Sequence, residues 1–139
     1  MIEKTLSIIK PDAVERNLDS KIKSFFESRQ LKIIKSKKVK ITKEEAEEFY
    51  KVHQTKPFYN DLCNYLSSGP IVVMILEGED AISKNREIMG ATDPLKAEEG
   101  TIRRMHGISI DKNSVHGSDS SKNAKIEIDF FFDKQLSKN

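Results

Sequence analysis

Six consecutive aliphatic residues, Ile71 to Leu76, follow Gly69-Pro70 and stop at Glu77-Gly78. The run is too short for a typical buried helix and far below the roughly 18 residues that span a bilayer, so it predicts a central β-strand. The rest of the chain arranges itself around such a strand. Thr5 to Ile9 reads as a strand stopped by Pro11, and 20–29 puts Ile22, Phe25 and Phe26 on one helical face. The β-branched stretch Leu31 to Ile41 predicts a second strand. Thr42 followed three residues later by Glu45 resembles a capping box, opening a helix through His53 on which Ala46, Phe49, Tyr50 and His53 share a face. A further helix follows Pro57, with Phe58, Leu62, Tyr65 and Leu66 on one side and Gly69 as its stop.

Asp80 is expected to cap a helix that runs to Met89, and 90–107 has little periodicity. An irregular stretch of that length in a compact domain is more often functional than idle, which makes it a place for ligand contacts. In the last segment Ala124, Ile128, Phe131 and Phe132 fit a helix, while Ile126, Ile128, Phe130 and Phe132 alternate like a strand. Helix is favoured because Ser118 and Asp119 supply capping groups. The order β-α-β-α-α-β-α-(short β)-α predicts an α+β sandwich, a small, largely antiparallel sheet covered by helices.

At 139 residues with 37% hydrophobic content and no linker or repeat, the chain is expected to form one domain over 1–139. The 24 Lys and Arg against 22 Asp and Glu leave a net charge of +2, which argues against a dedicated nucleic-acid or membrane binder. Glu3 and Lys4 interrupt any signal-like start, so the chain is expected to be soluble and unexported. A single cysteine, Cys63, permits no internal disulfide and fits a reducing cytoplasm. With His53, His106 and His116 it forms no metal-ligand spacing.

No glycine is followed by lysine, and Gly-x-Gly-x-x-Gly is absent, so the ordinary nucleotide-binding loops are excluded. What stands out is Asn113-Ser114-Val115-His116-Gly117-Ser118-Asp119-Ser120, small polar residues around a histidine just before a helix. Unpaired backbone N–H groups and the helix dipole favour anions at such a place. A neutral imidazole there suits nucleophilic attack on phosphorus, given a free ring nitrogen and a second group to hold the ring. Glu127, about two turns into the next helix, supplies that group if the chain turns back. Composition alone favours a row of turn and cap residues around a surface histidine.

Asn113-x-x-His116-Gly117-Ser118-Asp119 resembles the active-site signature of nucleoside diphosphate kinases. Ser7-Ile8-Ile9-Lys10-Pro11-Asp12-Ala13-Val14, Lys56-Pro57-Phe58, Ser68-Gly69-Pro70-Ile71-Val72, Leu76-Glu77-Gly78, Met89-Gly90-Ala91-Thr92-Asp93-Pro94 and Gly100-Thr101-Ile102-Arg103 resemble further motifs of that family, in order, across nearly the whole chain. The pattern is similar to short, bacterial-type members. The resemblance implies a ferredoxin-like fold and transfer of the γ-phosphoryl group from a nucleoside triphosphate to a diphosphate, by a ping-pong cycle through phosphohistidine and with broad base and sugar tolerance.

By the same resemblance His116 is the phosphoryl carrier, Glu127 holds its ring, and Ser118 is the hydroxyl beside them. Lys10 matches the lysine near the transferred phosphate and the ribose hydroxyls, Tyr50 a tyrosine whose hydroxyl reaches the phosphoryl site, and His53 a neighbour of the phosphates. Arg86, Thr92 and Arg103 match β-phosphate contacts, as forked guanidinium donors would suit. Phe58 matches the aromatic that stacks on the base, Asn113 the side chain that meets the ribose 3'-hydroxyl, and Leu62 and Ile110 line the same slot. Read only as residues, Tyr50 is preferably core, Leu62 and Ile110 are equally ordinary core, and Lys10, Arg86, Thr92 and Arg103 are ordinary surface. Ser20, Glu99 and Arg104-Met105-His106-Gly107 depart from the family's usual pattern, none of them in this set. The resemblance also implies a homo-oligomer, tetramer or hexamer, in which the loop before Gly100 helps build contacts.

Two rival readings keep the fold. Lys32, Lys35, Lys37, Lys38 and Lys40 form a basic stretch, but the expected strands hold no Phe, Tyr or Trp, so the stacking platform of an RNA-recognition motif is missing. A catalytically silent interaction protein is disfavoured by the intact set of motif residues. Phosphoryl transfer is aided by Mg²⁺ on the phosphate oxygens, and no acidic pair resembles a preformed cage, so the metal is expected to arrive with the nucleotide.

Overall fold

The computed structural model describes residues 2–110 and 112–133. Its frame is a four-stranded sheet in the order β2-β3-β1-β4, with every neighbouring pair antiparallel. The strands are β1 (Ile2–Ile9), β2 (Lys32–Val39), β3 (Ile71–Glu79) and β4 (Val115–Gly117). The aliphatic run of β3 is buried throughout, as a strand paired on both sides and covered on both faces must be. Helices α1 (Pro11–Glu15) and α2 (Asp19–Ser28) join β1 to β2, α3 (Lys43–Phe49) and α4 (Tyr59–Leu66) join β2 to β3, and α5 (Ala81–Met89) and α6 (Ile102–His106) lead to β4. After β4 the chain forms α7 (Ser121–Ile128) and a wider π-type turn, Asp129–Asp133. This is the expected α+β sandwich with a small antiparallel sheet.

Each face of the sheet carries its own core. On one, Ile9, Met74 and Leu76 meet Ile22 and Phe26 of α2 and Ile88 and Met89 of α5. On the other, Leu6, Ile8 and Val73 meet Ala46, Tyr50, Cys63, Leu66, Phe130 and Phe131. Alternation along β1 sends successive side chains to opposite clusters, which is the period-2 geometry of a strand.

The capping box is present: Thr42 Oγ1 accepts from the Glu45 N–H at 3.1 Å and Glu45 Oε1 from the Thr42 N–H at 2.8 Å. Several details differ from the sequence expectation. The helix opened by Thr42 ends at Phe49 and continues as a 3₁₀ turn, Lys51–His53. Asp80 precedes α5 in a left-handed conformation (φ 48°) and makes no side-chain cap; Glu3 of β1 instead accepts the Ile82 N–H at 3.1 Å. Ser120, not Ser118 or Asp119, caps α7, accepting the Asn123 N–H at 3.1 Å, because Ser118 is turned inward onto β1. The stretch 90–107 contains α6, whose Thr101 cap accepts from the Arg104 N–H.

The last segment is helical, as expected, with a refinement. The π turn carries both Phe130 and Phe131 into the second core, at 9% and 0% exposure. Lys37 from the edge strand donates to the Phe131 carbonyl and lies 4.9 Å from the Phe132 ring centroid, fixing that turn to the sheet. No helix among the described residues is long and apolar enough to cross a membrane.

Candidate active site

The site is built on the short strand β4. Pairing of Ile8 with His116 sets the imidazole on the face of the sheet occupied by the second core, next to α3. The Phe49 ring meets it edge-on at 5.3 Å and Tyr50 at 6.3 Å. The chain then turns into α7, which returns Glu127 to the ring: Glu127 Oε1 lies 3.0 Å from His116 Nε2. Ser118 Oγ donates to the same carboxylate oxygen at 2.8 Å and accepts the Leu6 N–H at 3.3 Å, so the carboxylate is referenced to β1. With Nε2 bonded to Glu127, Nδ1 is the ring nitrogen left for chemistry.

His116 lines a cleft of about 370 Å³, together with His53, Arg86, Thr92, Arg103 and Glu127 from the sequence-derived set. Arg103 is 9% exposed; its Nη1 and Nη2 bond the Gly90 and Val115 carbonyls at 3.0 and 2.9 Å, while its buried Nε has no partner in the protein. Burial, with Arg86 nearby, lowers its pKa to about 10, which leaves it cationic at neutral pH. Arg86 and Thr92 are exposed at the cleft rim. The His53 Nδ1 is buried without a partner, and burial, then Lys56 and His116, pull its pKa down, keeping it neutral. Tyr50 is buried, and burial reinforced by Glu127 raises its hydroxyl, so it remains protonated.

Lys10 and Asn113 form a buried pair, with Nζ donating to Oδ1 at 3.0 Å, and the Asn113 amide donates to the Thr92 carbonyl at 3.1 Å. Phe58 is 45% exposed at the entry to α4, its ring 6.2 Å from His53 and 5.6 Å from Lys56 Nζ. Leu62 packs against the second core cluster and Ile110 is 56% exposed; neither borders the cleft.

Phe49, Asp119 and Asn123 are among the cleft neighbours that have no role in the sequence-derived set. Phe49 braces His116, Asp119 accepts from Asn123 Nδ2 at 2.6 Å, and Asn123 shares the lining. That amide holds the Asp119 carboxyl below its usual range. Asp119 lies within the His-Gly-Ser-Asp run, so its place was signalled; the contact of Phe49 with His116 depends on how α3 packs and leaves no local mark. Gly117 is required by close approach, since a Cβ there would meet the Asn85 amide and lie 2.7 Å from Met89 Cε. Among the described residues no group of three or more His, Cys, Asp or Glu is arranged to hold a metal. A cleft bordered by two arginines fits an ion whose ligands come mainly from phosphate and water.

The family model described as nucleoside diphosphate kinase matches residues 3–136. A nucleoside diphosphate kinase of Campylobacter jejuni is 59% identical over 131 residues, 94% of this chain and 96% of the relative. One of Persephonella marina is 54% identical over 133 residues, covering 96% and 95%. Among solved structures, the Aquifex aeolicus nucleoside diphosphate kinase superposes with a TM-score of 0.93 at 43% identity, covering 95% of this chain and 96% of that one. The enzyme from Encephalitozoon cuniculi gives 0.92 at 36% identity, covering 99% and 93%.

Proposed function

The chain belongs to the nucleoside diphosphate kinase family, enzymes that transfer a γ-phosphoryl group through a phosphohistidine, and on that premise we propose that His116 is the residue phosphorylated, within one catalytic domain over 1–139. The observation that carries the assignment is the His116–Glu127–Ser118 arrangement, which engages Nε2 and turns the opposite edge of the ring to a cleft bordered by arginines.

In the first half-reaction the Nδ1 lone pair attacks the γ-phosphorus, an N–P bond forms, and the bond to the bridging oxygen breaks with its electron pair passing to the departing diphosphate. The second half-reaction is the reverse, with the β-phosphate oxygen of another nucleoside diphosphate as nucleophile. Glu127 accepts the Nε2 proton in a hydrogen bond and steadies the positive charge that the ring gains on attack. Arg86, Arg103 and Thr92 bind the β-phosphate, and the unpartnered Arg103 Nε is a donor in reserve for that oxyanion. The protonated Tyr50 hydroxyl and the neutral His53, whose Nδ1 lacks a protein partner, serve the transferred group.

Lys10 and Asn113 hold the ribose, and Lys10 also reaches the transferred phosphate. The exposed face of Phe58 stacks on the base, while Leu62 and Ile110, matched to the same slot by the family resemblance, lie outside the cleft that holds His116. A stack accepts any π-face, which supports broad base tolerance. Members of this family use Mg²⁺; held mainly by the nucleotide's phosphates beside Arg86 and Arg103, it would supply neutralisation of phosphate charge. The protein acts as a homo-oligomer, tetramer or hexamer, a reading supported by the place of β2 at the edge of the sheet among the described residues and by exposed Leu95, Met105 and Ile108. Its single cysteine fits the cytoplasm.

Incubation with γ-labelled ATP and Mg²⁺, followed by unlabelled diphosphate, tests the cycle. Label should pass to the protein first, in acid-labile form, and then to the nucleotide. Transfer only in a ternary mixture, with no labelled protein, would contradict it.

A further inference from the structure

A charged residue stands buried just behind the ribose-facing pair, in a part of the Lys-Pro-Asp run to which the reaction gives no task. Asp12, on the first turn of α1, is 5% exposed. A lone buried carboxylate is expensive, and this one is surrounded by donors. Tyr65 of α4 donates its hydroxyl to Oδ1 and accepts the Asp12 N–H at 2.8 Å. Arg16 donates to Oδ2 at 3.1 Å and, through Nε, to the Asp12 carbonyl at 3.0 Å, while its Nη2 also reaches the His106 carbonyl at the end of α6. Ser114 Oγ donates to Oδ2 at 2.8 Å.

Ser114 is the part of this arrangement that touches function. It is fully buried and has φ +74°, a left-handed conformation that a serine adopts only when its surroundings enforce it. It follows Asn113 directly, and its carbonyl accepts the Lys10 N–H at 2.8 Å. Both members of the Lys10–Asn113 pair therefore take their backbone direction from Ser114, and the side chain of Ser114 is anchored to Asp12.

We propose that Asp12 is a positioning residue: acting through the Ser114 hydroxyl, with Tyr65 and Arg16 as its own supports, it holds Ser114 in the left-handed conformation and so aims Lys10 and Asn113 at the ribose. The proposal rests on the reading of those two residues as ribose-binding. It also separates Asp12 from residues that merely stabilise, since its effect is on the benefit drawn from the sugar hydroxyl. If the 3'-hydroxyl helps the leaving oxygen in the transition state, loosening its partners costs rate more than ground-state affinity.

Single-turnover phosphorylation of the protein by saturating ATP and by 3'-deoxy-ATP, each with Mg²⁺, reads this benefit as a ratio of rates. The parent should favour ATP. In Ser114→Ala and Asp12→Asn, which alter a hydroxyl and a charge with little change of volume, the ratio should fall by about tenfold, the scale of one hydrogen bond to a charged group, with ADP affinity little changed. Tyr65→Phe removes one support and should lower it less. Leu31→Val, a core change at Gly78, where β3 pairs with Glu3 at the end of β1 away from Asp12, should lower the unfolding temperature and leave the ratio alone. A parent with a clear ratio and variants that keep it would overturn the role of Asp12 while leaving the ribose reading standing. A parent with no ratio would remove the ribose reading, and the proposal with it.

Discussion

At the scale of single residues, the pairing of one carboxylate oxygen with both His116 Nε2 and Ser118 Oγ determines which ring nitrogen reacts. Glu127→Ala should slow phosphorylation by about 100-fold, the cost of a loosely aimed reacting group, with nucleotide affinity retained. Rapid-quench labelling beside equilibrium binding checks this, and equal losses in both would show a binding role instead. Phe58→Ala should weaken ADP, GDP, CDP and UDP alike by about 1 to 3 kcal/mol, as a stack would, and a defect confined to one base would mean readout of a base edge. The identity of His116 and of its neighbours was legible because the small residues around it are adjacent in sequence. The hold of Glu127 on the ring was legible only as a possibility, because eleven residues and a reversal of direction separate the two.

Elements carried in the sequence were those with a local cause. The unbroken run of β3 and the Thr42–Glu45 box mark themselves by composition and spacing. Those missed depend on tertiary partners: the cap of α5 comes from Glu3, 79 residues away from Ile82, and the π turn is stabilised by burying two successive phenylalanines. The meeting of α5 and β4 at Gly117 belongs to this scale as well. Gly117→Ala should force Asn85 and Met89 away from the strand next to His116, destabilising the fold by about 1 to 3 kcal/mol, the usual cost of overpacking, and lowering the transfer rate. Urea unfolding and labelling rates measure both, and an unchanged midpoint would show that α5 yields freely.

For the whole molecule, two histidines link stability to pH. Burial is the leading cause that lowers both His53 and His106 below the ordinary imidazole value of 6.5. The unfolded chain then binds more protons than the native one, so their contribution is full above pH 6.5 and is lost as the pH falls through that value toward the depressed native ones. The unfolding temperature should drop between pH 7.5 and 5.5, and the drop should shrink in a His53→Gln/His106→Gln variant; parallel curves would assign the effect elsewhere. The chemistry of the molecule depends most on His116. Peptide mapping of protein labelled by γ-labelled ATP should place acid-labile phosphate on His116, and His116→Ala should keep its fold and its affinity for ADP while losing both the labelled intermediate and turnover. Label on another residue, or ping-pong transfer surviving in that variant, would contradict it.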